Sequence, residues 1–200
     1  MPIILYSPAS PYSAKVRMAA DYADIGIEAR KVTTSDEPSD LIDANPLGKI
    51  PTLVLDDGFS VFDSRAIMQE LDRLSGKTLY PRNGDKRRIA ERLEAAADGL
   101  CDCLLAQVYE KRMRPEEKIH QEWIDMQARK VERSLDWLEE NITPVRGKLN
   151  GGQFAVAAAM SYMDLRFPDL NWRRGRAKLR RFETRFQEAY PAFDTYKAQA

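Results

Sequence analysis

The chain has 200 residues, which is enough for one large domain or for two small domains that share a core. Basic and acidic residues both number 31, and a formal net charge of zero gives no support for a nucleic acid or an anionic membrane as partner. The sequence shows neither an apolar run of membrane-spanning length nor a basic N-terminal leader, and it has only 2 cysteines. Together these features predict a cytoplasmic protein.

The first 76 residues alternate strand-like and helix-like segments. Short apolar runs predict the strands, and apolar residues at helical spacing predict the helices. In chain order we predict strand 3–6, helix 11–23, strand 27–32, a short helix at about 35–45, strands 50–55 and 59–62, and helix 63–74. Asp57 and Gly58 are typical of the hairpin turn between the last two strands. The order βαβ-α-ββα predicts an α/β domain over residues 1–76.

The rest of the chain is predicted to be helical. Residues 77–85 form a linker with Pro and Gly, and Asp85 is suited to cap the helix that follows. Residues 86–200 then form an all-α domain. We predict its helices from an apolar stripe at 89–108, a start at Pro115, a very apolar run at 154–167 and an amphipathic run at 179–190.

Four residues or segments of the helical part are expected to be structural. Cys101 and Cys103 lie two apart on a helix, so their side chains diverge and no disulfide joins them; both are expected to be buried small hydrophobic residues. His120 is expected to be a surface residue. The basic run 173–181 is expected to be a solvated helix face, because no aromatic residues interleave it as a nucleic-acid site requires.

The loop after the first strand carries the first candidate site. Ser10-Pro11-Tyr12-Ser13 has the form of a Cys-Pro-Tyr-Cys redox turn in which hydroxyls replace both sulfurs. Pro11 fits the first turn of a helix, where backbone N–H groups are free to bind an anion. The Ser10 hydroxyl either meets such an anion or only caps the helix. Ser7, Tyr12 and Ser13 are the alternative hydroxyl donors.

A second candidate loop runs over residues 45–53. Pro51 stands at the start of an apolar strand and has no N–H, so it suits a cis peptide bond. Such a turn exposes the backbone groups of Ile50, which can pair with an extended peptide as an added strand would. The alternative is a plain turn before an edge strand.

The third candidate stands at the start of the helix 63–74. The carboxylate of Asp63 suits an ammonium group, and the hydroxyl of Ser64 with the first N–H groups suits a carboxylate, so the pair can take both ends of an amino acid. Simple capping by Asp63 is the alternative.

Several motifs together resemble the glutathione transferase family, in its bacterial members with a serine-type active site, over essentially the whole chain. Three lie in the first part: Ser-Pro-Ala-Ser-Pro-Tyr-Ser-Ala-Lys-Val-Arg at 7–17, Asn-Pro-Leu-Gly-Lys-Ile-Pro-Thr-Leu at 45–53 and Asp-Ser-Arg-Ala-Ile at 63–67. In the helical part, the segments 109–118 and 162–172 resemble bacterial members. The resemblance implies a thioredoxin-like N-terminal domain followed by an all-α domain. It also implies glutathione as co-substrate, no metal, and a homodimer.

The same resemblance implies a role for each matching residue. Ser10 meets the glutathione sulfur, and Lys49 reaches the glycyl carboxylate. The backbone of Ile50, before the cis proline Pro51, binds the cysteinyl part. Asp63 and Ser64 hold the γ-glutamyl end, with Asp63 where Glu is usual. The helical half would hold an apolar electrophile, with a pocket drawn from residues that suit the core equally well: Tyr12, Leu104, Gln107, Val108 and Met113.

One segment departs from the family pattern. Members usually start the central helix with a Ser/Thr-x-x-Asp capping box, whereas Ala155 and Ala158 stand at the matching positions. A lost cap costs about 1 kcal/mol. We therefore expect a less stable helical half unless another group replaces the cap, and a higher melting temperature after Ala155→Thr with Ala158→Asp.

The sequence leaves two functions open. The first is an enzyme that stabilises the glutathione thiolate and directs it at an apolar electrophile, as in detoxification. The second is a non-catalytic binding or interaction module with the same fold. A glutathione-dependent thiol oxidoreductase is disfavoured, because Ser10 and Ser13 carry no sulfur.

Overall fold

The computed structural model describes residues 1–200, with a four-stranded sheet in the first part and helices alone in the second. The strands are β1 (Ile3–Tyr6), β2 (Glu28–Lys31), β3 (Thr52–Val54) and β4 (Ser60–Val61). The helices beside them are α1 (Pro11–Tyr22), α2 (Ser39–Ala44) and α3 (Ser64–Leu74). The remaining helices are α4 (Gly84–Met113), α5 (Gln121–Asn141), α6 (Gly151–Arg166), α7 (Ala177–Ala189) and α8 (Phe193–Tyr196). The predicted thioredoxin-like α/β part followed by an all-helical part is confirmed.

The sheet has the strand order β2-β1-β3-β4. β1 and β2 are parallel, since α1 provides the crossover between them, and β3 pairs antiparallel with both β1 and β4. Ile4 of β1 lies opposite Leu53 of β3, and both side chains are buried. β3 is shorter than predicted and begins at Thr52, because Pro51 has no N–H for the ladder.

Two of the long helices begin at other residues than predicted. The cap of α4 is Asn83, whose side chain accepts a hydrogen bond from the Lys86 N–H at 3.1 Å, and Asp85 lies inside the helix. A short 3-10 turn follows Pro115, so α5 begins only after His120. His120 is exposed, as predicted, and its Nδ1 caps the helix.

Another residue replaces the cap that Ala155 and Ala158 lack in the central helix, so the condition for the expected loss of stability is not met. α6 begins at Gly151, about one turn earlier than predicted, and Asn150 caps it as part of a complete capping box. The Gln153 N–H donates to Asn150 Oδ1 at 3.2 Å, and the Asn150 N–H donates to Gln153 Oε1 at 3.2 Å. Ala155 and Ala158 lie inside the helix and are each 1% exposed. The proposed reversion to Thr and Asp would therefore place polar groups in the core.

Two glycines allow α6 to begin where it does. A Cβ on Gly151 would lie 2.5 Å from the Tyr80 ring, and a Cβ on Gly152 would lie 2.4 Å from the Ala90 carbonyl oxygen. The first turn of α6 thus packs directly on α4 and on the segment that precedes it. Residues without a side chain are required at this contact.

The basic run 173–181 is only partly the solvated face that we predicted. Arg173 Nη2 lies 2.6 Å from Asp164 Oδ2 at the end of α6. Arg176 is 9% exposed and its guanidinium binds Asp136 and Glu132 of α5, at 2.6 and 2.7 Å. These two arginines tie the loop before α7 to neighbouring helices, while the other basic residues of the run are exposed.

Both cysteines are free, as predicted; Cys101 is buried, whereas Cys103 is only half-buried. No helix combines the length and the apolar character that crossing a bilayer would require.

Candidate functional site

A cleft of about 610 Å³ lies between the loops of the N-terminal part and the helices α4 and α6. Its floor is formed by the loops that follow β1, precede β3 and precede α3. The cleft brings together most of the residues singled out by the sequence: Ser10, Tyr12, Lys49, Ile50, Pro51, Asp63, Ser64 and Val108.

Ser10 caps α1 and lines the cleft at the same time. Its Oγ accepts a hydrogen bond from the Ser13 N–H at 3.2 Å. A hydroxyl has one donor hydrogen and two acceptor lone pairs, and the capping bond uses only one lone pair. The Ser10 O–H therefore remains free to donate to an anion in the cleft. The two roles left open by the sequence are compatible.

One backbone amide of the first turn of α1 is also free. Pro11 has no N–H, the Ser13 N–H is bound to Ser10 Oγ, and the Ala14 N–H donates to the Ser10 carbonyl at 3.0 Å. The N–H of Tyr12 has no backbone acceptor. The positive end of the helix dipole and this N–H lie beside the Ser10 hydroxyl, which favours an anion at that point.

The alternative hydroxyl donors differ in their access to the cleft. Ser7 lines it, whereas Ser13 is fully buried and does not. The Tyr12 hydroxyl donates to the Asp102 carboxylate, so its hydrogen is engaged. Burial, followed by the nearby Cys101 and the Asp102 hydrogen bond, raises the pKa of the Tyr12 phenol. Tyr12 thus stays neutral and holds α1 against α4 rather than facing the cleft as a free donor.

The Ile50–Pro51 peptide bond is cis, as predicted. Neither the N–H nor the C=O of Ile50 has a hydrogen-bond partner within the chain. Two hydrogen bonds fix the turn: the Asn45 side chain and the Thr52 hydroxyl each donate to the Lys49 carbonyl at 2.9 Å. An extended peptide that enters the cleft therefore meets a fixed, unpaired backbone edge at Ile50.

Asp63 and Ser64 stand at the start of α3, where the sequence predicted them. Asp63 Oδ1 accepts a hydrogen bond from the Arg65 N–H at 2.9 Å, which leaves the second carboxylate oxygen free. Ser64 is 4% exposed and lines the cleft. The Phe62–Asp63 peptide bond is cis, a feature that nothing in the sequence indicated.

A buried ionic cluster behind the cleft was missed by the sequence analysis. Lys15 of α1, which is 1% exposed, donates to Asp98 Oδ2 at 2.8 Å and to Glu94 Oε1 at 3.0 Å. Arg65 Nε of α3 donates to the same Asp98 oxygen at 3.1 Å, and the Tyr80 hydroxyl donates to Glu94. Two cations and two carboxylates thus join α1, α3 and α4 around the cleft.

The structure does not bring three of the expected pocket residues to the cleft. Leu104 and Gln107 lie on the opposite face of α4 and line a separate cavity of about 460 Å³ against α5. The Gln107 amide donates to the Cys103 carbonyl at 3.1 Å. Met113, at the end of α4, is 68% exposed and lines neither cavity.

The face of α4 that does line the cleft has its own spacing. It carries Asp98, Asp102, Leu105, Tyr109 and Arg112, at intervals of four and three residues. This periodicity can be read from the sequence. It was overlooked because several of its residues are polar, whereas the stripe that faces the core is more apolar. Helix α6 adds Tyr162 and Arg166 to the same wall.

The comparisons with known proteins agree with this geometry. A family model described as the N-terminal domain of glutathione S-transferase matches residues 5–78. In Escherichia coli K12, the uncharacterized GST-like protein YibF is 32% identical over 132 residues. That alignment covers 64% of this chain and 65% of YibF, slightly less than two thirds of its length.

Two solved structures match from end to end. A glutathione S-transferase from Methylobacillus flagellatus, with glutathione bound, is 33% identical with a TM-score of 0.92 and full coverage of both chains. A glutathione transferase family member from Pseudomonas fluorescens, with bound S-(propanoic acid)-glutathione, is 31% identical with a TM-score of 0.88 and full coverage of both chains. The chain therefore belongs to the glutathione transferase family.

Proposed function

We propose that the protein binds glutathione in this cleft, stabilises its thiolate and directs the sulfur at an electrophile. The observation that carries the proposal is the convergence of three groups: the free Ser10 hydroxyl, the unpaired Ile50 backbone and the Asp63–Ser64 helix start. Each group matches a different part of the glutathione tripeptide. Similar chains bind glutathione and a glutathione thioether, which supports the same ligand here.

The tripeptide is assigned to the floor of the cleft. The free Asp63 oxygen takes the γ-glutamyl ammonium, and the Ser64 hydroxyl takes the γ-glutamyl carboxylate. The cysteinyl residue pairs with the N–H and C=O of Ile50 as a short added strand. Lys49, which is exposed at the rim, takes the glycyl carboxylate.

The cysteinyl sulfur then lies at the N-terminus of α1. The Ser10 O–H and the Tyr12 N–H donate to the sulfur anion, and the helix dipole favours its charge. These interactions lower the pKa of the thiol below its free value of about 8.5, so more thiolate is present at neutral pH. The sulfur lone pair forms a bond to the electrophilic carbon, the leaving group departs with its electron pair, and the thiol proton goes to solvent.

The setting of the protein is part of the same proposal. We infer a cytoplasmic homodimer that acts in detoxification, as the family resemblance implies. All the groups assigned above to the transfer reaction belong to the cleft of one chain.

A binding-only role is the second candidate, because the Ser10 oxygen already serves as a helix cap. Turnover of 1-chloro-2,4-dinitrobenzene with glutathione distinguishes the two functions. The enzyme is expected to form the aryl thioether, and Ser10→Ala to lower kcat/KM by about 100-fold, the loss typical of one anion-stabilising donor. Asn83→Ala is the matched control, since it removes a similar cap from α4 away from the cleft. Tight glutathione binding without turnover would favour the binding-only role.

A further inference from the structure

The wall of the cleft opposite the glutathione loops carries two arginines with no acidic partner. Arg112 lies in the last turn of α4 and Arg166 in the last turn of α6, and both line the cleft. Neighbouring arginines are paired: Arg114 with Glu110 at 2.7 Å, and Arg173 with Asp164. No carboxylate of the chain forms an ion pair with Arg112 or Arg166.

Two phenols accompany these cations. Tyr162 lies one helical turn before Arg166 and Tyr109 lies one turn before Arg112, and both line the cleft. Burial raises the pKa of the Tyr162 phenol to about 12, and the positive charge of Arg166 opposes that rise. Four residues apart on α6, Tyr162 and Arg166 lie on the same face of the helix. Tyr162 itself stays protonated at neutral pH and can donate a hydrogen bond.

The carboxylates of the cleft wall lie in the middle of α4, toward Ser10 and away from Arg112. Asp98 is neutralised by Lys15 and Arg65, and Asp102 accepts the Tyr12 hydroxyl. Ten residues separate Asp102 from Arg112, which is about 15 Å along a helix. This exceeds the screening length of about 8 Å at physiological ionic strength, so an anion beside Arg112 feels little repulsion from Asp102.

We propose that the electrophile of this enzyme carries a carboxylate, which Arg112 and Arg166 bind while Tyr109 and Tyr162 pack against its apolar body. This inference rests on the proposed function and replaces a purely apolar electrophile with an anionic one. The charged group fixes the far end of the substrate, and the carbon that bears the leaving group faces the sulfur at Ser10. A guanidinium matches the planar geometry of a carboxylate better than an ammonium does.

A matched pair of aryl halides tests the proposal. The anion 4-chloro-3,5-dinitrobenzoate and its methyl ester differ in charge at the ring position opposite the reacting carbon. In both, the sulfur attacks the carbon that bears chlorine, the C–S bond forms, chloride leaves with the bonding electrons and the thiol proton goes to solvent. We expect the wild type to prefer the benzoate over the ester by about 10-fold in kcat/KM, after division by the uncatalysed rates.

Substitution of the arginines should remove that preference selectively. Arg112→Met with Arg166→Met is expected to raise KM for the benzoate by about 10-fold and to leave the ester and glutathione unaffected. Arg174→Met is the control, because Arg174 is exposed, has no ion pair and lies outside the cleft. Equal use of both substrates by the wild type, or an equal loss for both in the double variant, would overturn the proposal.

A binding measurement keeps the inference testable without turnover. The two aryl thioethers of glutathione formed in that reaction, from the benzoate and from its methyl ester, differ in charge at the ring position opposite the sulfur. Calorimetry should give about 10-fold tighter binding of the carboxylate conjugate to the wild type and equal binding of the two by the double variant. Equal affinities in the wild type would contradict the anionic electrophile while the glutathione-binding function stands. A failure of both conjugates and of glutathione to bind would instead remove the proposed function itself.

Discussion

Lys15 of α1 and Asp98 of α4 form an ion pair of 2.8 Å in which each side chain is at most 5% exposed. The pair joins the helix that bears Ser10 to the helix that forms the opposite wall of the cleft. Arg65, two residues after Asp63, binds the same carboxylate. The positions of the cleft loops that carry Ser10 and Asp63 and of the α4 wall are therefore coupled through one buried cluster.

Lys15→Met is expected to destabilise the protein strongly. The substitution fills similar space but leaves Glu94 and Asp98 buried with one cation fewer, and breaking a buried pair typically costs about 3–5 kcal/mol. Urea unfolding at neutral pH measures the change. Arg30→Met provides the contrast, because its ion pair with Asp40 is exposed to solvent and its loss should leave the free energy of unfolding almost unchanged. Similar losses in the two variants would refute a structural role for the cluster.

Alkaline pH is expected to destabilise the protein in a defined window. Burial alone would lower the pKa of Lys15, but the carboxylates of Asp98 and Glu94 outweigh it and the net shift is upward. Burial, with Glu94 next, raises the pKa of Tyr80. Both contributions to stability are fully present below the unfolded-state pKa of about 10 and are lost as the pH rises from there through the folded-state pKa.

The slope of stability against pH checks this expectation. Each such group should lower the free energy of unfolding by about 1.4 kcal/mol per pH unit above pH about 10. Tyr80→Phe removes one titrating group, so its slope should be shallower than that of the wild type by that amount, whatever its stability at neutral pH. Parallel curves for the two proteins would show that Tyr80 titrates normally in the folded state.

Asp63→Asn should weaken glutathione binding without unfolding α3. Asn caps a helix as well as Asp does, so stability is expected to change by less than about 0.5 kcal/mol. The charge-assisted bond to the γ-glutamyl ammonium is lost, and Kd should rise by about 10-fold or more. Asp57→Asn is a close control: its Oδ1 also accepts a backbone N–H two residues on, that of Phe59, at 2.9 Å, and it lies in the hairpin outside the cleft. Equal Kd values for the two variants, by calorimetry, would exclude Asp63 from the site.

The start of α6 gives a prediction opposite to the one from the family pattern. Asn150→Ala should cost about 1 kcal/mol, since it removes the cap. Ala155→Thr with Ala158→Asp should lower the melting temperature, because Ala158 is 1% exposed and an unpaired carboxylate there is costly to bury. A rise in melting temperature in the double variant would mean that the helix begins at Ala155 after all.

The sequence predicted those parts of the site that depend on local chemistry. Pro51 indicated the cis turn because it lacks an N–H, and Ser10 and Asp63 indicated helix starts because their side chains can accept backbone N–H groups. These signals act within a few residues. Local signals of the same kind also predicted the strands and helices in the correct order.

The parts that it did not predict depend on distant contacts. Lys15 lies 83 positions before Asp98, and charged residues are usually exposed, so neither suggested a buried pair. Both faces of α4 are partly apolar, and only the packing decides that Leu105 rather than Leu104 meets the cleft. The early start of α6 requires a residue without a side chain at Gly152, because a Cβ there would collide with the Ala90 carbonyl oxygen. No local sequence pattern indicates this contact.

The pKa of the bound glutathione thiol tests the central claim most directly. The ultraviolet absorbance of the thiolate, titrated at saturating protein, should give a pKa at least about one unit below the free value of about 8.5 for the wild type. In Ser10→Ala, the same titration should return toward the free value, while Asn83→Ala should match the wild type. A thiol pKa in the wild type equal to that of free glutathione would contradict thiolate stabilisation at the start of α1.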